Sequence, residues 1–209
     1  MASGKFIAIE GGEGSGKSTQ GRLLADALSL RGIDVELTRE PGGTPGAEAI
    51  RHLLLHPPGK EWGAPAEAML FAAARADHVA RRIVPALEQG RWVICDRFVD
   101  SSRAYQGLAG ALGDEAVQTL HAIGSGGLMP DLTILVQIDE RLAADRLHHR
   151  DGDHADAIGG RGTSYHRAVA DAFASFAQAA PERFAVIDGN GTPDEVHARI
   201  IAAIERVGR

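Results

Sequence analysis

The stretch 6-FIAIEGGEGSGKSTQ-20 decides how the rest of the chain is read. Gly11 to Ser18 fits G-x-x-x-x-G-K-[ST], with an apolar run before it and a helical pattern after it. A chance glycine-rich turn has no reason to stand between a strand and a helix. Gly11, Gly12, Gly14 and Gly16 let backbone N–H groups turn inward onto phosphate oxygens. The helix opening at Lys17 aims its positive end at the same place. In a loop of this kind Lys17 reaches the β- and γ-phosphates and the Ser18 hydroxyl ligates Mg²⁺. Glu13, Ser15 and Thr19 complete the segment expected to hold a nucleoside triphosphate. The loop alone does not choose among kinases, motors and switches. Glu13 is also out of place in it if phosphate is the only ligand.

Outward from the loop, five short apolar runs recur: 6-FIAI-9, 33-IDVEL-37, 92-WVIC-95, 132-LTILVQI-138 and 184-FAVI-187. Helical stretches separate them. Runs this apolar suit strands buried on both faces of a parallel sheet, and the alternation suits βαβ units. A first helix is expected from Lys17 to about Leu30, with Leu23, Leu24, Ala27 and Leu28 on its apolar face and Gly32 ending it. From about Pro65 to Glu88, Met69, Ala72, Ala76, Val79, Ile83 and Leu87 recur at spacings of three and four. Pro85 should interrupt that helix and Gly90 close it. The segment 192-TPDE-195 reads as a helix start with Thr192 and Glu195 forming a capping box. Two polar, Gly-rich stretches, 40-EPGGTPGAEA-49 and 151-DGDHADAIGGRG-162, are expected to be mobile loops beside a site.

Each apolar run ends in polar residues: the phosphate loop, Arg39-Glu40, Asp96-Arg97, Asp139 and Asp188. In an open parallel sheet ligands bind at the carboxyl ends of the strands, so these residues should gather on one rim. Asp96 stands where a carboxylate supports the metal, and Arg97 beside it calls for a second phosphate group. Phe71, Arg75, His78 and Arg82, spaced +4, +3, +4, share a face opposite the apolar stripe of the long helix. A Phe with an Arg one turn later stacks on a base and hydrogen-bonds its edge. Arg146 and Arg150 at i,i+4, with Arg161 beyond, put cations on a Gly-rich segment able to close over a transferring phosphoryl group.

Composition narrows the classes. A chain of 209 residues, 44% hydrophobic and 24% charged, suits an α/β domain with a sizeable core. A net charge of −6 argues against a nucleic-acid partner. The single cysteine, Cys95, supports no disulfide framework and reads as a small core residue in a cytoplasmic setting. The start MASGKFIAIE is too short and polar for a signal peptide. No apolar run approaches the ~20 residues that span a bilayer, so no membrane partner is expected. The nine histidines show no partnered cysteine set, and no structural metal site is expected.

Several blocks together carry a family resemblance: 6-FIAIEGGEGSGKSTQ-20, 38-TREPGGTPGAEAIR-51, 70-LFAAARADH-78, 84-VPALEQGRWVICDRF-98, 101-SSRAYQG-107, 130-PDLTILV-136 and 188-DGNGTPDEV-196. In order and spacing the chain resembles the thymidylate kinases along nearly its whole length. The resemblance implies a P-loop NTPase-type three-layer α/β fold: a five-stranded parallel sheet in the order 2-3-1-4-5, helices on both faces, and one domain over 1–209 with a lid at about 146–162. It implies Mg²⁺-dependent transfer of the ATP γ-phosphoryl group to dTMP, giving dTDP on the way to dTTP, and a homodimer. Glu13 falls where the family's loop carboxylate meets the 3′-hydroxyl region of the acceptor sugar. Arg39 and Arg97 match the pair that holds the acceptor phosphate. Phe71 matches the residue that stacks on thymine, and Arg75 the one that bonds its edge. Ser102 and Gln106 fall at the base, and Tyr105 where its ring crowds the sugar 2′ position. Asp96 matches the carboxylate between metal and acceptor. The chain departs from the family in two places. Where some members carry a loop arginine it has Gly14, and in place of a lid D-R-[IF]-E and R-V-R it has 156-DAIGGR-161 and 168-AVA-170. Arg150 and Arg161 are the candidates for the catalytic lid arginine, with Arg146 behind them.

The residue inventory suits that chemistry. A nucleoside monophosphate has a second pKa of about 6, so its attacking oxygen needs no general base at pH 7. Charge neutralisation and in-line positioning remain, and Lys17, Arg39, Arg97 and a lid arginine supply both. Two other readings share the loop. A guanine switch would show N-K-x-D, and the chain has no Asn-Lys pair. A kinase for a sugar or shikimate would not need the Phe71/Arg75 face together with A-Y-Q-G, while a kinase for another nucleoside monophosphate stays open as the alternative.

Overall fold

The structure, a computed structural model, describes residues 4–151 and 157–207, and the side chains of these except at 148, 150, 151, 206 and 207. The apolar runs form β1 (Phe6–Glu10), β2 (Val35–Arg39), β3 (Trp92–Asp96), β4 (Leu132–Gln137) and β5 (Phe184–Asp188). They make one sheet in the order β2-β3-β1-β4-β5, every neighbouring pair parallel. Buried at each of its residues, β1 lies at the centre.

Between the strands run α1 (Lys17–Leu30), α2 (Pro45–Leu55), α3 (Ala64–His78), α4 (Val84–Glu88), α5 (Val99–Ser102), α6 (Asp114–Ser125), α7 (Glu140–Asp151), α8 (Thr163–Ala179) and α9 (Pro193–Val207). Alternate residues of β1 serve opposite faces, as pleating requires. Ile7 and Ile9 pack with Leu24 and Leu28 of α1 and Val196, Ile200 and Ile204 of α9. Phe6 and Ala8 pack with Val79, Ile83, Cys95 and Phe98 on the other side. Cys95 is thus a buried core residue.

Four expectations change. The second strand starts at Val35, not residue 33. Gly32 N–H donates to Ser29 O at 2.9 Å and Ile33 N–H to Leu28 O at 3.1 Å, so the turn that ends α1 uses those residues. The stripe of α1 that reaches the sheet is Gly21, Leu24, Ala25 and Leu28, with Leu23 and Ala27 at its margin. The long helix also turns differently. Met69, expected inside, is 54% exposed, whereas Glu67, Arg75 and His78 are buried. Alanines occupy so much of α3 that apolar contrast between its faces is weak, and buried polar partners decide its rotation. A π-helical turn at Val79–Ile83 then adds a residue ahead of Pro85, which has no N–H to donate, and joins α3 to α4. The stretch 40–49 is half helix: Thr44 caps α2, accepting from Ala47 N–H at 3.2 Å, with Pro45 behind it. At α9 the capping box forms, Thr192 N–H donating to Glu195 Oε2 at 2.8 Å and Glu195 N–H to Thr192 Oγ1 at 3.3 Å.

Gly21 lies in the middle of α1, and a Cβ there would meet Leu37 Cδ1 at 3.5 Å and Ile9 Cδ1 at 3.6 Å, ordinary contact distances. Gly21→Ala should therefore stabilise the protein by about 0.5–1 kcal/mol, through a less flexible unfolded chain and a better helix former. Urea unfolding measures this; a lower midpoint would show that α1 tolerates no methyl against the sheet.

Candidate active site

The central strand delivers the phosphate loop to the rim. Gly14 takes φ 73°, and a Cβ there would lie 2.8 Å from Ala143 O of α7. Neither the backbone angle nor the space admits a side chain, which accounts for the glycine at this place in the loop. Lys17 Nζ donates to Gly12 O at 2.7 Å and Ser15 Oγ at 3.2 Å, which folds the loop around the ammonium. Burial, and then the charge of Arg97, lower the Lys17 pKa to about 8. The Ser18 hydroxyl donates to the Asp96 carboxylate. This joins the ends of the loop and β3, a hydroxyl and a carboxylate oxygen of the kind a hard cation takes.

The neighbouring strands bring the second half. β2 ends in Arg39, whose Nη2 lies 3.1 Å from Glu48 of α2. Arg97 follows β3 with φ 68°, a strained angle for a residue with a side chain. Its guanidinium pairs with Glu13, donates to Ser101 Oγ at 3.1 Å, and lies 5.1 Å from the Tyr105 ring centroid. Burial pushes the Tyr105 phenol up to about 12. The Glu13 carboxylate thus meets Arg97 and accepts from the Tyr105 hydroxyl at 3.4 Å.

A cavity of about 590 Å³ connects these groups. Glu13, Gly14, Gly16, Lys17, Ser18 and Thr19 line one end. Arg39, Phe71, Arg75, Asp96, Arg97, Ser102, Tyr105 and Gln106 line the rest. Gly11, Gly12 and Ser15 are not part of this wall. Of the predicted helix face, Arg75 is 3% exposed and donates to Glu40 Oε2 at 2.8 Å and Ser102 Oγ at 2.7 Å. His78 does not face the cavity; it bridges Glu40 at 3.0 Å and Thr38 at 2.7 Å. Arg82, beyond the start of the π-helical turn, goes to Glu36 at 2.6 Å.

The arginines beyond β4 separate. Arg146 of α7 lies over the loop, donating to Gly14 O and Gly191 O at 3.4 Å each, and lines the cavity. Arg161 goes elsewhere, to Glu67 Oε2 and Tyr165 Oη at 2.5 Å each. The Arg150 side chain lies outside the described residues, as do positions 152–156 of the predicted lid. His52 and His56 stack on α2 at 4.7 Å, but among the described residues no group of three potential ligands forms a metal site.

Four acids shape this region, and of them only Glu40 is marked in the sequence, as a strand-end residue of the rim. Glu40 and Glu48 orient Arg75 and Arg39. Glu10, at the end of β1, accepts from Phe98 N–H at 2.8 Å and Ser101 N–H at 3.0 Å, pinning the segment after β3. Glu67 stands four residues before Phe71 and eight before Arg75, so helical spacing could have placed it on the same face. Nothing in the sequence pattern marks Glu10, which looks like the last residue of a strand.

The strand order, with the phosphate loop leaving the central strand and an acid closing its neighbour, defines an α/β P-loop protein. The family model described as thymidylate kinase matches residues 9–200. The thymidylate kinase of Rhizorhabdus wittichii is 56% identical over 201 residues, covering 96% of this chain and 97% of that protein. That of Nitrobacter winogradskyi is 47% identical, covering 96% and 88%. The crystal structure of thymidylate kinase from Ehrlichia chaffeensis matches with a TM-score of 0.79 at 32% identity, over 97% of this chain and 99% of that one. The chain belongs to the thymidylate kinase family.

Burial, and then the nearby Asp100 charge, raise the Glu10 pKa from the usual 4.5 to about 7. A carboxyl raised in the folded state stabilises fully below the unfolded value and loses that contribution as pH rises through about 7. Glu10→Gln keeps a neutral acceptor at the same place. Its stability relative to the parent should rise by roughly 2–3 kcal/mol between pH 5 and 8. Thermal melts across that range test it; a pH-independent difference would show that Glu10 does not titrate there.

Proposed function

We infer that the chain transfers the γ-phosphoryl group of ATP to dTMP, giving dTDP and ADP, as its family membership indicates. One observation carries the reading: a single cavity runs from the phosphate loop, past Arg39 and Arg97, to Phe71 and Arg75. A triphosphate at the loop and a monophosphate at the two arginines would meet end to end between Lys17 and Arg97. In this reading Phe71 stacks on the base, Arg75 and Gln106 meet its edge, Ser102 supports Arg75, and Tyr105 crowds the sugar. Arg39 and Arg97 neutralise the acceptor phosphate, and Glu13 accepts the sugar hydroxyl. The dianionic acceptor attacks without a general base. Ser18 and Asp96 would hold Mg²⁺, which supplies charge neutralisation at the phosphates when bound. Among the described residues no helix is long and apolar enough to cross a membrane. Cys95 is free and buried, which suits the reducing conditions of a cytoplasm. A homodimer suits the exposed apolar side chains of α3 and α6, Met69 at 54% and Ile123 at 79% exposure.

Coupled ADP release over a panel of dTMP, dUMP, UMP, AMP and CMP tests the substrate. The expected result is dTMP as the best acceptor by kcat/KM; any other best acceptor overturns the reading. For the lid arginine, the contacts of Arg146 with the loop put it ahead of Arg161 as the cation over the transferring group. Arg146→Ala should lower kcat on the order of 10²–10³-fold with little change in dTMP KM. Arg161→Ala should act on dTMP KM instead. Reversed patterns would return the catalytic role to Arg161.

A further inference from the structure

Gln106 is 2% exposed and lines the cavity. Its Nε2 donates to Glu67 Oε1 at 2.8 Å. The other oxygen of Glu67 accepts from Arg161 Nη2 at 2.5 Å, and Glu67 is itself buried. A carboxylate paired with a guanidinium offers acceptors only. The amide of Gln106 therefore has one satisfactory orientation, –NH₂ toward Glu67 and Oε1 toward the cavity. The reverse orientation would bury two acceptors against each other. Arg161 is held in turn by Tyr165, whose hydroxyl donates to Tyr105 O at 2.7 Å. The segment that carries Arg161 is thereby tied to the segment after α5 that carries Tyr105 and Gln106.

We propose that Glu67, locked by Arg161, is a positioning residue that fixes the polarity of Gln106, so that the base pocket presents an acceptor there and selects an imide base over an aminopyrimidine. This rests on the reading of the cavity as a nucleoside monophosphate site. Arg75 supplies the complementary donor: its guanidinium has donors only, and Glu40, Phe98 O and Ser102 hold it in place. An acceptor beside a donor matches the N3–H and O4 of thymine or uracil. Cytosine offers a bare N3 and an amino group, the inverse pattern. A pocket whose buried polar groups are left unpaired rejects the wrong ligand strongly.

The test compares dTMP and dCMP as acceptors for the parent, Glu67→Gln, and the exchanged pair E67Q/Q106E. An amide at position 67 can both donate and accept, so in the single variant Gln106 is free to turn. Glu67→Gln should raise dTMP KM roughly fivefold to tenfold with kcat little changed, and reduce the dTMP-over-dCMP ratio. In the exchanged pair the amide now at position 67 accepts from Arg161 and donates to the carboxylate now at position 106. That carboxylate presents only acceptors to the base. Discrimination should then recover, which a merely structural role for Glu67 does not predict. An unchanged ratio in Glu67→Gln, or a loss that the exchange does not restore, overturns the proposal. If the parent itself does not prefer dTMP, the substrate reading fails instead, so the two failures are distinct.

Discussion

Hydrogen bonding of β1 between β3 and β4 governs the geometry of the site. The pairing sets Ile9 level with Asp96, and Asp96 level with Arg39 on the far side. The phosphate loop, the Asp96–Arg97 pair and the Arg39–Glu40 pair thus leave the sheet at one height and on one rim. Parallel strands point all their carboxyl ends the same way, so three strand endings converge without any loop having to reach far. The fixed register lets Ser18 find Asp96, and Glu13 find Arg97, across more than seventy residues of chain.

So much charge on one rim has a cost, and the surrounding structure shows how it is met. Glu40 sits beneath the rim with Arg75 and His78, all three almost wholly buried. Asp100, also buried, lies between Arg103 at 2.7 Å and Arg183 at 3.3 Å. Buried ion pairs contribute little net stability, because desolvation offsets most of their attraction. Removing one partner, by contrast, leaves an uncompensated charge. These pairs hold the Arg75, Arg103 and Arg183 guanidiniums in place. The cation–π contact between Arg97 and Tyr105 likewise holds the Arg97 guanidinium.

Glu67 illustrates the same economy at longer range. It lies on α3, accepts from a glutamine of the segment after β3, and accepts from an arginine just before α8. One carboxylate so ties together three stretches that the sequence keeps far apart. The two arginines beyond β4 also divide by position: Arg146 meets the loop, and Arg161 meets Glu67 of α3.

Much of this was legible in the sequence because local chemistry fixed it. Five apolar runs, each short and ending in polar residues, specify a parallel sheet, although its edge strands β2 and β5 leave Leu37 and Val186 exposed. The glycine pattern at 11–16 specifies the loop, since few other residues adopt those backbone angles. The capping box at Thr192 and the helix end at Gly32 are likewise local, each closed by hydrogen bonds within a few residues. The buried face of α3 was not legible, because an alanine-rich helix carries little apolar contrast and its rotation depends on Glu40 and Ser102, distant in sequence. Nor was the division between Arg146 and Arg161, since cations on neighbouring segments look alike until a carbonyl or a carboxylate claims them. The sequence by itself determined which backbone could form and where strands must end. Only the tertiary structure decided which charged side chains meet, because pairing between them acts over a few ångströms and leaves no periodic trace along the chain.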